Sequence, residues 1–270
     1  MVNNDYIGWI NQRAMRGKNF FTKEDFRSAF QNVSDISLSV ALNRLADGQW
    51  IMSPWQNFYV VMPIQYKLKG VVPPSFYIDD LMSFLGRNYY VSLLSAAALN
   101  GAGHQRSMSF FVTADGAPLR NGVRNGTKIL LSKRKTIDMR WVRQVRTEGG
   151  YMNVSAPLMT ILDLIMDENK IGGLSRAAEV IAELTETLVF DETYMDLFRD
   201  YSPSVLQRLG HILSNLGQVE MEDKLFAICT KMGLKFRYVK LKASKESLEG
   251  DLRDDKWKVI INEKIEIDEL

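Results

Sequence analysis

The first 62 residues constrain the fold most, because the spacing of their apolar residues changes along the segment from about 3.6 residues to two. The helical spacing predicts three short helices, over residues 6–15, over residues 23–30, and from Asp35 or Ile36 to Ala46. Thr22 is the expected N-cap of the second helix, and Gly48 is expected to take the left-handed position after the third. Alternating residues then predict a β-hairpin over residues 50–62, which Pro63 closes.

Three helices followed by a hairpin predict a winged helix-turn-helix domain over residues 1–64. In such a domain the third helix enters the major groove of DNA, where small polar side chains permit close approach. The amide of Asn43 is suited to bidentate pairing with adenine, and basic residues are suited to phosphate contacts. The candidate DNA-binding residues are Lys23, Arg27, Ser37, Ser39, Asn43, Arg44, Gln56 and Asn57.

A short linker over residues 66–75 separates this domain from a second predicted domain, residues 75–270. Residues 75–154 are expected to be mixed α/β, and residues 155–270 to be mainly helical. The predicted fold class is therefore α+β. In the mixed part, helices are expected over residues 78–85 and 89–99, and strands over residues 108–114, 128–133, 140–146 and 150–154.

The C-terminal part is predicted as a series of helices that starts at Ser155 as an N-cap and is interrupted at Gly172-Gly173. The expected helices cover residues 155–168, 174–188, 191–200, 204–216 and 219–232. Short strands are expected over residues 235–241 and 257–261.

Charge is segregated along the chain, although the net charge is only +2. Residues 1–62 carry net +1, which leaves protein docking open as another role for the N-terminal domain. Residues 63–150 carry net +8, suited to a phosphate backbone, and residues 151–270 carry net −7, suited to a basic partner. The candidate polyanion patch comprises Arg120, Arg124, Lys128, Lys133, Arg134, Lys135, Arg140, Arg143 and Arg146.

The sequence offers few residues for catalysis or cofactor binding. One cysteine, Cys229, and two histidines, His104 and His211, are too few for a usual zinc site, and both histidines are expected to be structural. Neither a P-loop nor a nucleophile-elbow motif occurs. We therefore predict no catalytic residue, no cofactor and no metal. We also predict no membrane span and, without a secretory signal, a cytoplasmic protein.

Two alternative functions stay open at this point. Glu222-Asp223-Lys224 and Asp254-Asp255-Lys256 resemble the carboxylate and lysine groups of metal-dependent nucleases. In this alternative the chain is such a nuclease, and its N-terminal domain would deliver Asp254 and Lys256 to DNA. In the other alternative, the chain is a one-component regulator whose larger domain senses a small ligand.

Several segments together resemble the AbiE-type abortive-infection antitoxins, which are described as predicted transcriptional regulators of viral defence systems. They are the N-terminal module, IDDLM at residues 78–82, YYVSLLSAAALNGAGHQ at residues 89–105 and WKVIIN at residues 257–262. The resemblance spans most of the chain, and residues 89–105 are its most specific part.

The resemblance implies an antitoxin that is also the transcriptional autorepressor of a toxin–antitoxin operon, with no catalysis of its own. Its N-terminal domain would bind double-stranded promoter DNA. Its C-terminal domain would counter a nucleotidyltransferase-like toxin from the same operon. The family is classed with systems in which toxin and antitoxin need not form a stable complex, so direct toxin binding stays open.

Overall fold

A computed structural model describes residues 5–102, 107–124 and 126–266, apart from the side chain of Arg124. The chain forms two compact units whose segments alternate along the sequence. The first unit comprises Met1–Val91, Met108–Asp138 and Gln144–Asn153. The second unit comprises Ser92–Ser107, Met139–Arg143 and Val154–Leu270.

The N-terminal part of the first unit combines three helices with a three-stranded antiparallel sheet. Its elements in chain order are α1 (Tyr6–Met15), β1 (Phe20–Thr22), α2 (Lys23–Ala29), α3 (Asp35–Asp47), β2 (Ile51–Trp55) and β3 (Phe58–Val61). The strand order is β1-β3-β2. The three predicted helices and the predicted hairpin are therefore present. Strand β1 is additional, and its three residues are too few to show a period of two.

Side-chain caps fix where α2 and α3 begin. The Thr22 hydroxyl accepts a hydrogen bond from the Asp25 N–H at 3.1 Å, and the Asp25 carboxylate accepts one from the Thr22 N–H at 2.8 Å. The Ser34 hydroxyl accepts a hydrogen bond from the Ser37 N–H at 3.3 Å. These bonds satisfy N–H groups that the first turn of a helix leaves without a partner. The expectation that Thr22 caps the second helix is confirmed.

The end of α3 differs from the expectation by one residue. Gly48 has a φ of −78°, and Gln49 takes the left-handed φ of 55° instead. The Gln49 N–H donates to the Ala46 carbonyl at 3.0 Å, and the Trp50 N–H donates to the Leu45 carbonyl at 2.9 Å. This pair of bonds is a Schellman motif, in which the residue after the C-cap is left-handed. The prediction that Gly48 is left-handed is therefore wrong, because α3 continues one residue further than its sequence pattern indicates.

An aromatic and aliphatic core joins these helices to the small sheet. Ile10, Phe21 and Phe26 are fully buried, and the indole of Trp9 meets the Phe21 ring edge-on at 5.1 Å between centroids. Helix α3 contributes one face to this core, consisting of Leu38, Ala41, Leu42 and Leu45. The burial of that face leaves the opposite side of α3 in solvent.

A six-stranded mixed sheet follows. Its elements and adjoining helices are α4 (Ile78–Phe84), β4 (Tyr89–Val91), α5 (Leu93–Leu99), β5 (Ser109–Ala114), β6 (Gly122–Arg124), β7 (Thr127–Lys133), β8 (Val142–Thr147) and β9 (Gly150–Ser155). The strand order is β6-β7-β5-β4-β9-β8. Strands β5 and β7 are parallel, whereas β4–β5 and β6–β7 are antiparallel.

Two expectations for this region are wrong. Residues 89–99 do not form one helix, since Tyr89–Val91 form β4 and α5 begins at Leu93. Aromatic and β-branched residues favour strands, and only the alanine-rich remainder favours a helix. The Asn121-Gly122 dipeptide in the sequence predicts a turn, whereas Gly122 begins β6.

The second unit is mainly helical. Its helices are α6 (Pro157–Met166), α7 (Glu168–Ile171), α8 (Leu174–Thr185), α9 (Met195–Arg199), α10 (Pro203–Asn215) and α11 (Val219–Lys231). Its sheet contains β10 (Val239–Lys240), β11 (Leu252–Asp254) and β12 (Val259–Ile261) in the order β10-β12-β11. The chain is therefore a mixed α+β protein. Across the described ranges, no helix is long and apolar enough to cross a membrane.

Helix α6 begins differently from the expectation. Ala156 occupies its N-cap position, and the Ser155 hydroxyl lies 2.7 Å from the Thr160 hydroxyl. Ser155 therefore does not cap the helix. Instead, it joins a buried polar contact with the first turn of α6.

Candidate nucleic-acid interface

The outward face of α3 carries a narrow stripe of three exposed residues. Ile36 is 79% exposed, Val40 is 43% exposed, and Asn43 is also exposed. Residues separated by four and three positions lie on the same side of a helix. The sequence indicates a small, polar outward face and misses Ile36, because Ile36 falls at an uncertain helix boundary. Its signal is the four-residue spacing to Val40.

The two serines predicted to contact DNA make local hydrogen bonds. Ser37 Oγ accepts a hydrogen bond from Ser34 Oγ at 2.9 Å. Ser39 Oγ donates to the Asp35 carbonyl at 2.8 Å. A hydroxyl that accepts still has its own proton to donate, whereas one that donates can only accept further bonds. Ser37 is therefore better suited than Ser39 to donate to a base or a phosphate.

Three of the predicted DNA-binding residues meet in a cleft beside the hairpin. The Lys23 N–H donates to the Asn57 carbonyl at 3.0 Å, and Asn57 takes a left-handed φ of 62° at the hairpin turn. The cleft has a volume of about 380 Å³ and is lined in part by Lys23, Arg27 and Asn57. Arg27 Nε lies 3.5 Å from the carboxylate of Asp35. Gln56, next to Asn57, is exposed.

A second depression runs between α1 and α3. It has a volume of about 780 Å³, and Ile7, Ile36, Val40 and Trp50 line its apolar part. Arg44, another predicted DNA-binding residue, lies on its polar margin. The residues predicted for DNA contact therefore divide between the α3 face and the hairpin cleft.

The exposed basic residues of the predicted polyanion patch that lie in the sheet are on separated strands. Lys128 and Lys133 are exposed on β7, and Arg146 is exposed on β8. Four interstrand steps separate β7 from β8, which is about 19 Å at about 4.8 Å per step. Arg140 and Arg143 belong to the second unit. Within the sheet, the predicted patch therefore divides into separate basic groups.

The remaining patch residues lie near β6 and β7. Arg120 and Lys135 are exposed in the segments before β6 and after β7. The guanidinium of Arg134 donates to the Tyr90 hydroxyl at 3.0 Å. Arg124 lies in β6, outside the described side chains. Arg134 thus anchors the end of β7 to β4.

Asn100 is the centre of a polar network in the second unit. Its amide donates to the Ser155 carbonyl at 2.9 Å and to the Thr160 hydroxyl at 3.0 Å. Arg143 donates to the Asn100 side-chain oxygen at 2.8 Å and to the Leu99 carbonyl at 2.7 Å. The network joins the end of α5 to the start of α6. Arg143 therefore has a structural role in addition to its charge.

Two acids and a tyrosine meet where α4 approaches β4. The Tyr89 hydroxyl donates to the Asp79 carboxylate at 2.8 Å and accepts a hydrogen bond from the Asn153 N–H at 3.2 Å. Burial raises the pKa of Tyr89, so its hydroxyl stays protonated. Burial, reinforced by the Asp79 charge, raises the pKa of Asp80 to about 6. We therefore expect the stability of the first unit to change as Asp80 titrates.

The carboxylates required by the nuclease alternative take part in contacts within the fold. Asp254 Oδ2 lies 2.8 Å from His211 Nδ1, and Oδ1 accepts from the Trp257 N–H at 3.0 Å. Glu222 accepts from the Trp257 indole at 2.8 Å and lies 2.9 Å from Lys256 Nζ. In the part of the chain that the structure describes, no group of three His, Cys, Asp or Glu residues is arranged to hold a metal. These contacts join α10 and α11 to the C-terminal strands.

The cysteine and the two histidines are the other residues with side chains that could be reactive. Burial raises the pKa of the Cys229 thiol to about 12, which suppresses the reactive thiolate. The His211 ring is buried, and its second nitrogen lies 2.9 Å from the Asn215 amide. His104 lies outside the described residues.

Residues 90–215 match the family described as the AbiEi antitoxin C-terminal domain. The match confirms the resemblance to the AbiE-type antitoxins over this part of the chain. The family supports an antitoxin role and implies a toxin partner.

The chain is also similar to a solved structure, that of the RV2827C protein from Mycobacterium tuberculosis. The TM-score is 0.67 at 12% sequence identity, over 93% of this chain and 89% of that chain. At this identity the similarity shows the fold alone. No curated protein matches the sequence.

Proposed function

We propose that the chain has two functions: it represses its own operon and it counters the toxin that the operon encodes. Residues 1–64 would bind promoter DNA as a winged helix-turn-helix domain, and residues 75–270 would act against a nucleotidyltransferase-like toxin. The match of residues 90–215 to the AbiEi antitoxin C-terminal domain is the observation that carries the antitoxin role.

The arrangement of residues 5–62 supports DNA binding. Helices α2 and α3 follow one another closely, β2 and β3 form a hairpin, and β1 pairs with β3. In a winged helix-turn-helix, α3 would be the recognition helix and the hairpin the wing. The exposed Asn43 and Arg44 on α3, and the cleft with Lys23 and Arg27, would then supply base and phosphate contacts.

Growth rescue tests the antitoxin role. The full chain is co-expressed with the toxin encoded beside it, and colony counts are compared with those for toxin alone. The expected result is restored growth. Absence of rescue by a full chain that is expressed and folded would contradict the antitoxin role, whatever the result of DNA binding.

Two substitutions test which residue contacts a base and which contacts a phosphate. Fluorescence anisotropy of the full chain measures binding to the duplex upstream of its gene and to a shuffled duplex. Asn43→Ala is expected to cost about 1–3 kcal/mol on the native duplex and little on the shuffled one, because a base contact carries sequence information. Lys23→Ala is expected to weaken both equally and to lower the salt slope by about one.

Asn11→Ala is the matched control, since Asn11 is an exposed asparagine on α1 rather than on α3. It is expected to bind both duplexes as the unchanged chain does. Equal losses on both duplexes for Asn43→Ala would reassign Asn43 to a phosphate contact or a structural role.

A further inference from the structure

Two aliphatic side chains, Ile36 and Val40, are exposed on the outward face of α3, where they line the depression beside α1. Ile36 is 79% exposed and Val40 is 43% exposed, while the core of this part uses the opposite face of the helix. Aliphatic surface left in water becomes a source of binding free energy when a partner covers it. Their spacing of four residues places both on one stripe, which continues to Asn43.

We propose that Ile36 and Val40 read thymine by contacting its 5-methyl group in the major groove. The inference rests on the proposed DNA-binding role of residues 1–64. The thymine methyl is the apolar group that the major groove presents, and Ile36 lies in the first turn of α3, where recognition helices contact base edges. A preferred site would therefore carry thymines beside the adenine that Asn43 is suited to read.

The length of the stripe fits this assignment. Four residues of helix rise about 6 Å. Successive bases of one strand are about 3.4 Å apart along the DNA axis. For a recognition helix that runs along the DNA axis, Ile36 and Val40 are therefore suited to thymines about two base steps apart.

The surroundings of the stripe favour DNA over a protein partner. Ser37 and Arg44 lie on one side of it and Ser39 on the other, and although Ile7 and Trp50 continue the apolar lining across the depression, that lining is small. Protein interfaces usually need a broader contiguous apolar patch of a few hundred Å² or more. Basic and small polar neighbours instead suit phosphates and base edges.

Replacing thymine by deoxyuridine tests the inference, because it removes only the methyl group and keeps base pairing. A duplex that the full chain binds specifically is made with uracil at each thymine in turn, and anisotropy gives the affinities. We expect uracil at one or two positions to weaken binding about fourfold, the loss expected for one buried methyl group. Ile36→Ala is expected to lose a similar factor and to become insensitive to uracil at one of these positions.

Two variants serve as controls. Ile36→Val keeps a branched aliphatic surface and is expected to retain most of the sensitivity to uracil. Ile7→Ala removes an aliphatic side chain of α1 across the depression, and it is expected to respond to uracil as the unchanged chain does. Because Ile36 is largely exposed, its replacement is expected to leave thermal unfolding unchanged.

The outcomes separate this inference from the proposed function. Absence of sequence-specific binding by the unchanged chain would overturn both. Specific binding with no effect of uracil at any thymine would overturn the thymine contact alone. The thymine contact would also be overturned if Ile36→Ala stayed sensitive to uracil at every position. It would be overturned as well if Ile36→Ala changed the mass of the protein in solution, because this face would then be a contact between copies of the chain.

Discussion

Asp80 carries a carboxyl group that the fold partly buries beside Asp79. Burial, and then the Asp79 charge, raises the pKa of Asp80 to about 6. The folded state therefore holds the Asp80 proton more tightly than the unfolded state, whose pKa is about 4. The stability that this proton contributes is fully present below about pH 4 and is lost as the pH rises through about 6.

We therefore expect Asp80→Asn to stabilise the chain at neutral pH. The gain is about 1–2 kcal/mol in the free energy of unfolding near pH 8, after allowance for solvent screening, and it disappears near pH 4. Denaturant unfolding at both pH values measures it. Asp200→Asn, at an exposed site, is the matched control. A gain of equal size at both pH values would contradict the burial account.

The sequence identifies some of the α3 face but not all of it. Asn43 and Arg44 follow from helical spacing, and both are exposed as expected. The hydrogen bonds of Ser37 and Ser39 depend on rotamers that no sequence pattern specifies. The exposure of Ile36 depends on where α3 begins, which is the least certain part of any helix pattern.

At the scale of elements, the end of α3 carries a measurable strain. Gln49 occupies the left-handed position of the Schellman motif, which glycine fills at no steric cost. Gln49→Gly is therefore expected to stabilise the chain by up to about 1 kcal/mol. The same change inside α1, Gln12→Gly, is expected to destabilise it by about 1 kcal/mol, because glycine is a poor helix former. Denaturant unfolding of both variants measures whether each change raises or lowers the free energy of unfolding.

If Gln49→Gly destabilised the chain as much as Gln12→Gly does, that result would contradict the left-handed conformation of Gln49. A smaller gain would mean that the Gln49 side chain itself makes a favourable contact. The comparison of two Gln→Gly changes removes the effect of side-chain identity.

The sequence predicts the long amphipathic helices best and the short strands least well. Helices α8, α10 and α11 begin within one residue of their expected starts. Strands β6 and β11 have three residues each, too few for a period of two. The division of the basic residues follows from the order β6-β7-β5-β4-β9-β8, which is set by pairing between distant segments rather than by local sequence.

At the scale of the whole molecule, the proposed account assigns repression and toxin neutralisation to different parts of the chain. Asn43 lies outside residues 90–215, the segment that matches the antitoxin domain. Asn43→Ala in the full chain is therefore expected to raise expression of a promoter reporter while growth rescue from the toxin is unchanged. Asn11→Ala is expected to change neither readout. Loss of rescue by Asn43→Ala at normal stability would show that the two functions are not separable.

The measurement that tests the central claim most directly is binding of the full chain to its own upstream duplex against a shuffled duplex, at two salt concentrations. The account predicts a preference of about 10³ or more for the native sequence at physiological salt. Equal, steeply salt-dependent binding to both duplexes, or no binding to either, would contradict a sequence-specific repressor.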